Sequence, residues 1–142
     1  MKEIPTEHFF GKVATKAVIV DGEKILIVLN NGDSDWDLPG GRIHIGETPE
    51  VALARECLEE IGASIIVGRP IHAEHFMHFK DNLPHLVLSF EATLEKPAAP
   101  FAIPSDEIRD ARWITEREIE DEKLFPIIRS ILEHYFASKK SP

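Results

Sequence analysis

The chain has 142 residues, 43% hydrophobic and 29% charged, a composition that suits a folded domain and excludes a fibrous or disordered chain. Asp and Glu outnumber Lys and Arg by 25 to 16, and the resulting formal charge of −9 excludes a broad basic surface for polymeric nucleic acid. One cysteine, Cys57, excludes an internal disulfide framework, and neither a signal-type apolar core near Met1 nor a run approaching about 18 apolar residues is present, so the expectation is one domain over 1–142, cytoplasmic and off the membrane.

Residues 13–20 and 24–29 are rich in Val and Ile and are joined by Asp21-Gly22-Glu23, which predicts a β-hairpin. Trp36-Asp37-Leu38 reads as a short extended segment that ends in the turn Pro39-Gly40-Gly41. Thr48-Pro49-Glu50 then combines a capping side chain, a proline suited to the first helical position and an acid at the positive end of the helix dipole, and Gly62 supplies a stop. Two further extended segments are expected at 64–67 and 71–79. A turn at Asp81-Asn82-Leu83-Pro84 leads to a strand over 85–94, and 96–100 reads as a surface loop. A short strand at 111–114 and helical spacing over 116–124 and 126–136 complete the chain.

Winding residues 49–61 as a helix places Val51, Ala54, Leu58 and Ile61 on an apolar arc and Glu56, Glu59 and Glu60 on the opposite side. Three carboxylates so spaced repel one another, and Arg55, one turn before Glu59, offsets only part of that charge. Hard oxygen donors of this kind suit Mg²⁺ or Mn²⁺, and a divalent cation is also what would let an acidic protein bind a small anionic substrate. A Gly-rich turn just before the helix allows close backbone approach by a ligand. The face therefore reads as a metal site and not as a merely solvated helix surface.

Gly41, Glu47, Arg55, Glu56, Glu59, Glu60 and Gly62 occupy every fixed position of a Nudix box, and Leu38-Pro39-Gly40 resembles the lead-in usual in that family. Cys57 and Ala63 depart from the pattern by being small where bulky aliphatic residues are favoured. The chain is therefore identified as resembling the Nudix hydrolases, which implies an α/β fold, specifically an α/β/α sandwich with a mixed central sheet. The resemblance implies metal binding by Glu56, Glu59, Glu60 and the Gly41 carbonyl, with Glu47 and Arg55 as supporting residues. It implies a pyrophosphohydrolase that cuts the diphosphate linkage of a small nucleotide-like substrate, a nucleoside triphosphate or nucleotide-sugar, with Mg²⁺ or Mn²⁺. Glu56 is the first choice to accept the proton of the attacking water, Arg55 supports it, and Glu107 resembles a glutamate that many relatives place in a loop facing the site. A homodimer, common among relatives, stays open.

Around this centre, Trp36 and Trp113 read as structural aromatics, while Arg42 and His44 stand where side chains could reach a phosphate. His72, His75 and His78 would align on a helix. On the strand expected here His75 points away from the other two, which argues against a shared ion. Two alternatives to hydrolysis remain: a nucleotide-sensing or interaction module that kept the fold and lost catalysis, and a diphosphate isomerase, for which no separate catalytic cysteine is available.

Overall fold

The structure, a computed structural model, describes residues 7–96, 103 and 106–140. Among the described residues nine elements follow one another: β1 (Lys12–Asp21), β2 (Lys24–Asn30), β3 (Gly40–Arg42), α1 (Pro49–Ile61), β4 (Ile65–Met77), β5 (Pro84–Leu94), β6 (Ile108–Thr115), α2 (Glu116–Ile119) and α3 (Pro126–Lys140). The sheet runs β4-β5-β1-β2-β6, with β3 paired to β1. β1 lies parallel to β5 and antiparallel to β2 and β3, so the sheet is mixed, as expected.

β1 alternates its side chains between two apolar clusters. Ala17 and Ile19 face α1, where they meet Leu53, Cys57 and Ile61, and Val18 faces α3, where it meets Ile128, Ile131 and Leu132. One helix thus covers each face, giving the α/β/α sandwich. Each fully buried Ile or Leu removes enough apolar surface from water to contribute about 1.5–3 kcal/mol.

The feature that positions the site is a fork in the sheet. β1 and β2 pair only near their connection, at Val20–Ile25 and Asp21–Lys24. Lower down the strands separate, and β3 enters the gap with Ala14, Thr15 and Lys16 opposite Arg42, Gly41 and Gly40. Gly40 can do this only as glycine: its φ is +147°, and a Cβ there would lie 2.0 Å from the Thr15 carbonyl oxygen.

Several expectations change at this level. The turn read at 39–41 is instead entered by β3, and Trp36 and Asp37 make only isolated bridges, to Leu124 and Val28. The two segments at 64–67 and 71–79 form one strand with register shifts between Val67 and His72, because irregular pairing with β5 absorbs Gly68-Arg69-Pro70. Only Glu116–Ile119 of the helix expected over 116–124 is helical, closed by a Thr115 capping box. The loop expected at 96–100 lies, beyond Lys96, outside the described residues. Among the described residues no helix is long and apolar enough to cross a membrane.

Candidate functional site

α1 begins and ends as its sequence requires. Thr48 Oγ1 accepts the Val51 N–H at 3.2 Å, Pro49 opens the helix, and Gly62 closes it in the left-handed region at φ 66°. Its buried face is not the one that apolar spacing predicts. Ala52, Leu53, Cys57, Glu60 and Ile61 are buried, while Val51 and Leu58 are 56% and 54% exposed. The helix is rotated by roughly a third of a turn from the expected arc. One of the three carboxylates, Glu60, is thereby directed into the protein.

Three glutamates of the helix consequently occupy different surroundings. Glu60 is 8% exposed and accepts the Gly40 N–H at 2.9 Å. Burial pushes its carboxyl up to about 7, against the opposing pull of Lys16 and the Gly40 hydrogen bond, and nearby Glu56 adds to the rise. Lys16, whose ammonium lies 3.0 Å from Asp37 and 3.2 Å from the Leu38 carbonyl, is disfavoured as a cation by burial, but Asp37 and Glu60 outweigh this and raise its pKa. Glu56 is part-buried and presses against β3, so a Cβ on Gly41 would lie 2.4 Å from its carboxyl carbon. Glu59 stands outside, its side chain 59% exposed.

Arg55 connects these carboxylates with the preceding loop. Its Nε and Nη2 donate to the two oxygens of Glu47 at 2.7 and 3.0 Å, its Nη1 to Glu56 at 3.0 Å and Glu59 at 3.2 Å, and its Nη2 also to the Arg42 carbonyl at 3.1 Å. The paired donation to Glu47, with the His44 N–H as a further donor, holds that carboxyl down at about 2 and holds the guanidinium's pKa above its ordinary value. Glu47 therefore sets the position of Arg55, and Arg55 sets the positions of Glu56 and Glu59. The Gly41 carbonyl accepts the Thr15 hydroxyl at 3.3 Å, on the residue against which Glu56 packs. Five carboxylates (Asp37, Glu47, Glu56, Glu59 and Glu60) meet two cations (Arg55 and Lys16), and this excess of oxygen donors fits a hard divalent ion.

Of the other expected residues, Arg42 and His44 contact this group and the rest make separate contacts. Glu107 stands in the turn before β6, where its carbonyl accepts the Asn31 N–H at 2.7 Å. Trp36 packs on the α3 cluster with Arg112 over its ring, and Trp113 packs against the α1 cluster, so both serve the structure. Arg42 is exposed beside the site, and His44 leans on Glu47. His72 stacks on His134, His75 meets Phe9, and His78 joins Asp81 and His85, so the three histidines do not converge on one another. Cys57 is fully buried, and burial pushes its thiol up, which removes it as a nucleophile.

A mixed sheet sandwiched by two helices, with carboxylates gathered where a short glycine strand meets an acidic helix, defines an α/β protein with an oxygen-rich centre at that junction. The NUDIX domain model matches residues 12–135, and the chain belongs to that family. A MutT-like protein of Streptomyces ambofaciens is 29% identical over 111 residues, 77% of this chain and 67% of that one. An 8-oxo-dGTP diphosphatase of Haemophilus influenzae is 44% identical over 54 residues, 38% of this chain and 36% of its own. The chain spans from 25% to 67% of the length of the first curated relatives it matches. A solved NUDIX hydrolase structure from Nitrosomonas europaea shares the fold with a TM-score of 0.78 at 24% identity, covering 94% of this chain and 93% of that one.

Proposed function

We propose that the protein is a pyrophosphohydrolase that cleaves the diphosphate linkage of a nucleoside triphosphate or nucleotide-sugar with the help of Mg²⁺ or Mn²⁺. The carrying observation is that one guanidinium holds Glu56 and Glu59 on the helix that faces the glycine strand, while Glu60 of the same helix is anchored on the Gly40 N–H of that strand. Glu56, Glu59, Glu60 and the Gly41 carbonyl would hold the ion. Bound there, it supplies charge neutralisation for the diphosphate, acidifies water and stabilises the charge that develops during displacement.

The protein's own groups divide the remaining work. Glu56, wedged against Gly41 and aligned by Arg55, accepts the proton of the attacking water, and Glu107 is the second candidate for that role. Arg55 keeps Glu56 and Glu59 in place, and Glu47 keeps Arg55 in place. Lys16 and the Gly40 N–H fix Glu60 at the base of the site. Arg42 at the end of β3 and His44 in the loop after it, both exposed, supply positive and hydrogen-bonding groups for a phosphate. The formal charge of −9 favours a small substrate over a polymer.

The test is a panel of nucleoside triphosphates, 8-oxo-dGTP, nucleotide-sugars and dinucleoside polyphosphates with Mg²⁺ and with Mn²⁺, reading phosphate and pyrophosphate release beside a Glu59→Gln control. Metal-dependent cleavage lost in the control is the expected result. Silence across the panel, with Mn²⁺ still bound, would replace hydrolysis by a nucleotide-sensing role.

A further inference from the structure

The turn between β4 and β5 gathers a second set of ligating side chains, on the other side of the sheet from α1. The turn is tightly made: the His78 N–H donates to the Leu83 carbonyl at 2.9 Å, the Asn82 N–H donates to the His78 carbonyl at 2.8 Å, and Asn82 takes a left-handed φ of 55°. Asp81 Oδ1 accepts the Leu83 N–H at 3.0 Å, so the turn itself aims the carboxylate. The strands on either side then bring in His78 and His85. His85 shares a face of β5 with Val87, which packs in the α3 cluster, while Leu88 and Phe90 face α1.

We propose that His78, Asp81 and His85 form a site for a divalent transition ion of the imidazole-preferring kind, Zn²⁺ above all. One ligating atom from each of the three lies within 4.8 Å of the others. His85 Nε2 is 2.8 Å from Asp81 Oδ2, and His78 Nδ1 is 3.7 Å from Asp81 Oδ1. Ligand atoms about 2.0–2.2 Å from one ion stand roughly 3–4 Å apart, so only small side-chain movements are needed. The two imidazoles already face each other, centroids 4.4 Å apart and planes 15° from parallel, with the Phe76 ring 5.8 Å from His85.

Binding exchanges contacts that are present now. The ion takes the place of the hydrogen bond between His85 Nε2 and Asp81 Oδ2. It also displaces the Lys12 ammonium, 2.8 Å from Asp81 Oδ2, and the long 3.2 Å hydrogen bond from the Lys80 N–H to His78 Nδ1. Lys12 is therefore a built-in competitor of the ion. Three protein ligands leave a coordination position open to water or a small anion. Two nitrogens and one oxygen favour a softer ion than the all-oxygen set on α1, so the protein carries two centres that sort cations by chemistry.

The test is a Co²⁺ titration of the chelator-stripped full chain, read in the visible, followed by displacement with Zn²⁺. A low-coordinate site with nitrogen ligands absorbs far more strongly than a six-coordinate oxygen site, which separates the two centres. One equivalent of Co²⁺ should develop the band and Zn²⁺ should remove it. His78→Gln and His85→Gln should each weaken binding by tenfold or more, Lys12→Met should tighten it, and Glu59→Gln should leave it unchanged. His78 is partly exposed, so its variant keeps the question open to measurement even if His85→Gln disturbs the turn. A His78→Gln protein that titrates like the wild type, a band that disappears with Glu59→Gln, or no band at millimolar Co²⁺ overturns the proposal. It would leave the cluster as a hydrogen-bonded knot that secures the turn.

Discussion

The two helices that cover the sheet invite comparison. α3 buries Ile128, Ile131, Leu132 and Tyr135, a plain amphipathic spacing, and no carboxylate is among its buried residues. α1 buries Glu60 in company with Ala52, Leu53, Cys57 and Ile61 and leaves Val51 and Leu58 outside. Burying a carboxylate opposes folding unless it is compensated, whereas the α3 face only stabilises. The difference teaches that α1 is rotated for its carboxylates at the expense of two apolar contacts, and that the arrangement depends on Gly40, Lys16 and Arg55 to be tolerable.

The comparison is sharpened most strongly by exchanging effects between the helices. Glu59→Gln should lower hydrolysis on the order of a hundredfold or more while leaving the unfolding midpoint within error. Leu132→Ala on α3 should do the reverse, costing about 2–5 kcal/mol in denaturant unfolding with kcat unchanged below the transition. If Leu132→Ala impaired turnover in folded protein, the separation between a working and a supporting face would be wrong.

Glu47→Gln comes next, because it removes one charge from the paired contact that aligns Arg55. Metal affinity or activity should drop about 10- to 100-fold with the fold intact. A drop confined to substrate KM would instead place Glu47 on the substrate.

The buried carboxylate also predicts a pH dependence in chelator-treated protein. Glu60 titrates near 4.5 when unfolded and at about 7 when folded. Below 4.5 both states hold the proton; between 4.5 and 7 the unfolded chain releases it while the folded chain keeps it, so stability falls through that window and then levels. The denaturation midpoint of the wild type should therefore decline across the window relative to Glu60→Gln. Parallel profiles for the two proteins would show that Glu60 carries no such penalty.

Smallest of all, Leu58→Gln on the exposed side of α1 should change stability by less than about 0.5 kcal/mol. A cost near that of a core residue would mean that Leu58 is covered in solution, for example by a second copy of the chain.

Much of this was legible in the sequence because it depends on local chemistry. The Thr48 cap, the Gly62 stop, the β1–β2 hairpin and the seven box positions are short-range signals, and the structure realises the first three. Long-range pairing was not legible. β3 exists because β1 and β2 diverge, which no residue between 36 and 42 announces, and the inward turn of Glu60 follows from that strand's N–H groups and from Lys16. Apolar periodicity located α3 correctly and misplaced the packed face of α1, since it assumes that a glutamate points to water. The His78, Asp81 and His85 group was missed for a related reason: histidines were compared along one strand. The signal was the turn at 81–84, which any hairpin uses to bring its flanking residues opposite each other.

β1 draws its partners from three separate stretches, Lys24–Ile25, Gly40–Arg42 and His85–Ala92. During synthesis it leaves the ribosome before all of them, and β2 is the first to reach it. Its parallel neighbour follows more than half a domain later, and remote pairings of this kind are slow to close. For that interval the strand exposes a bare edge of Val, Ala and Ile to whatever else is nearby. Productive folding thus depends on the speed with which the middle of the chain arrives, and the nascent protein is most vulnerable to aggregation just before β5 docks.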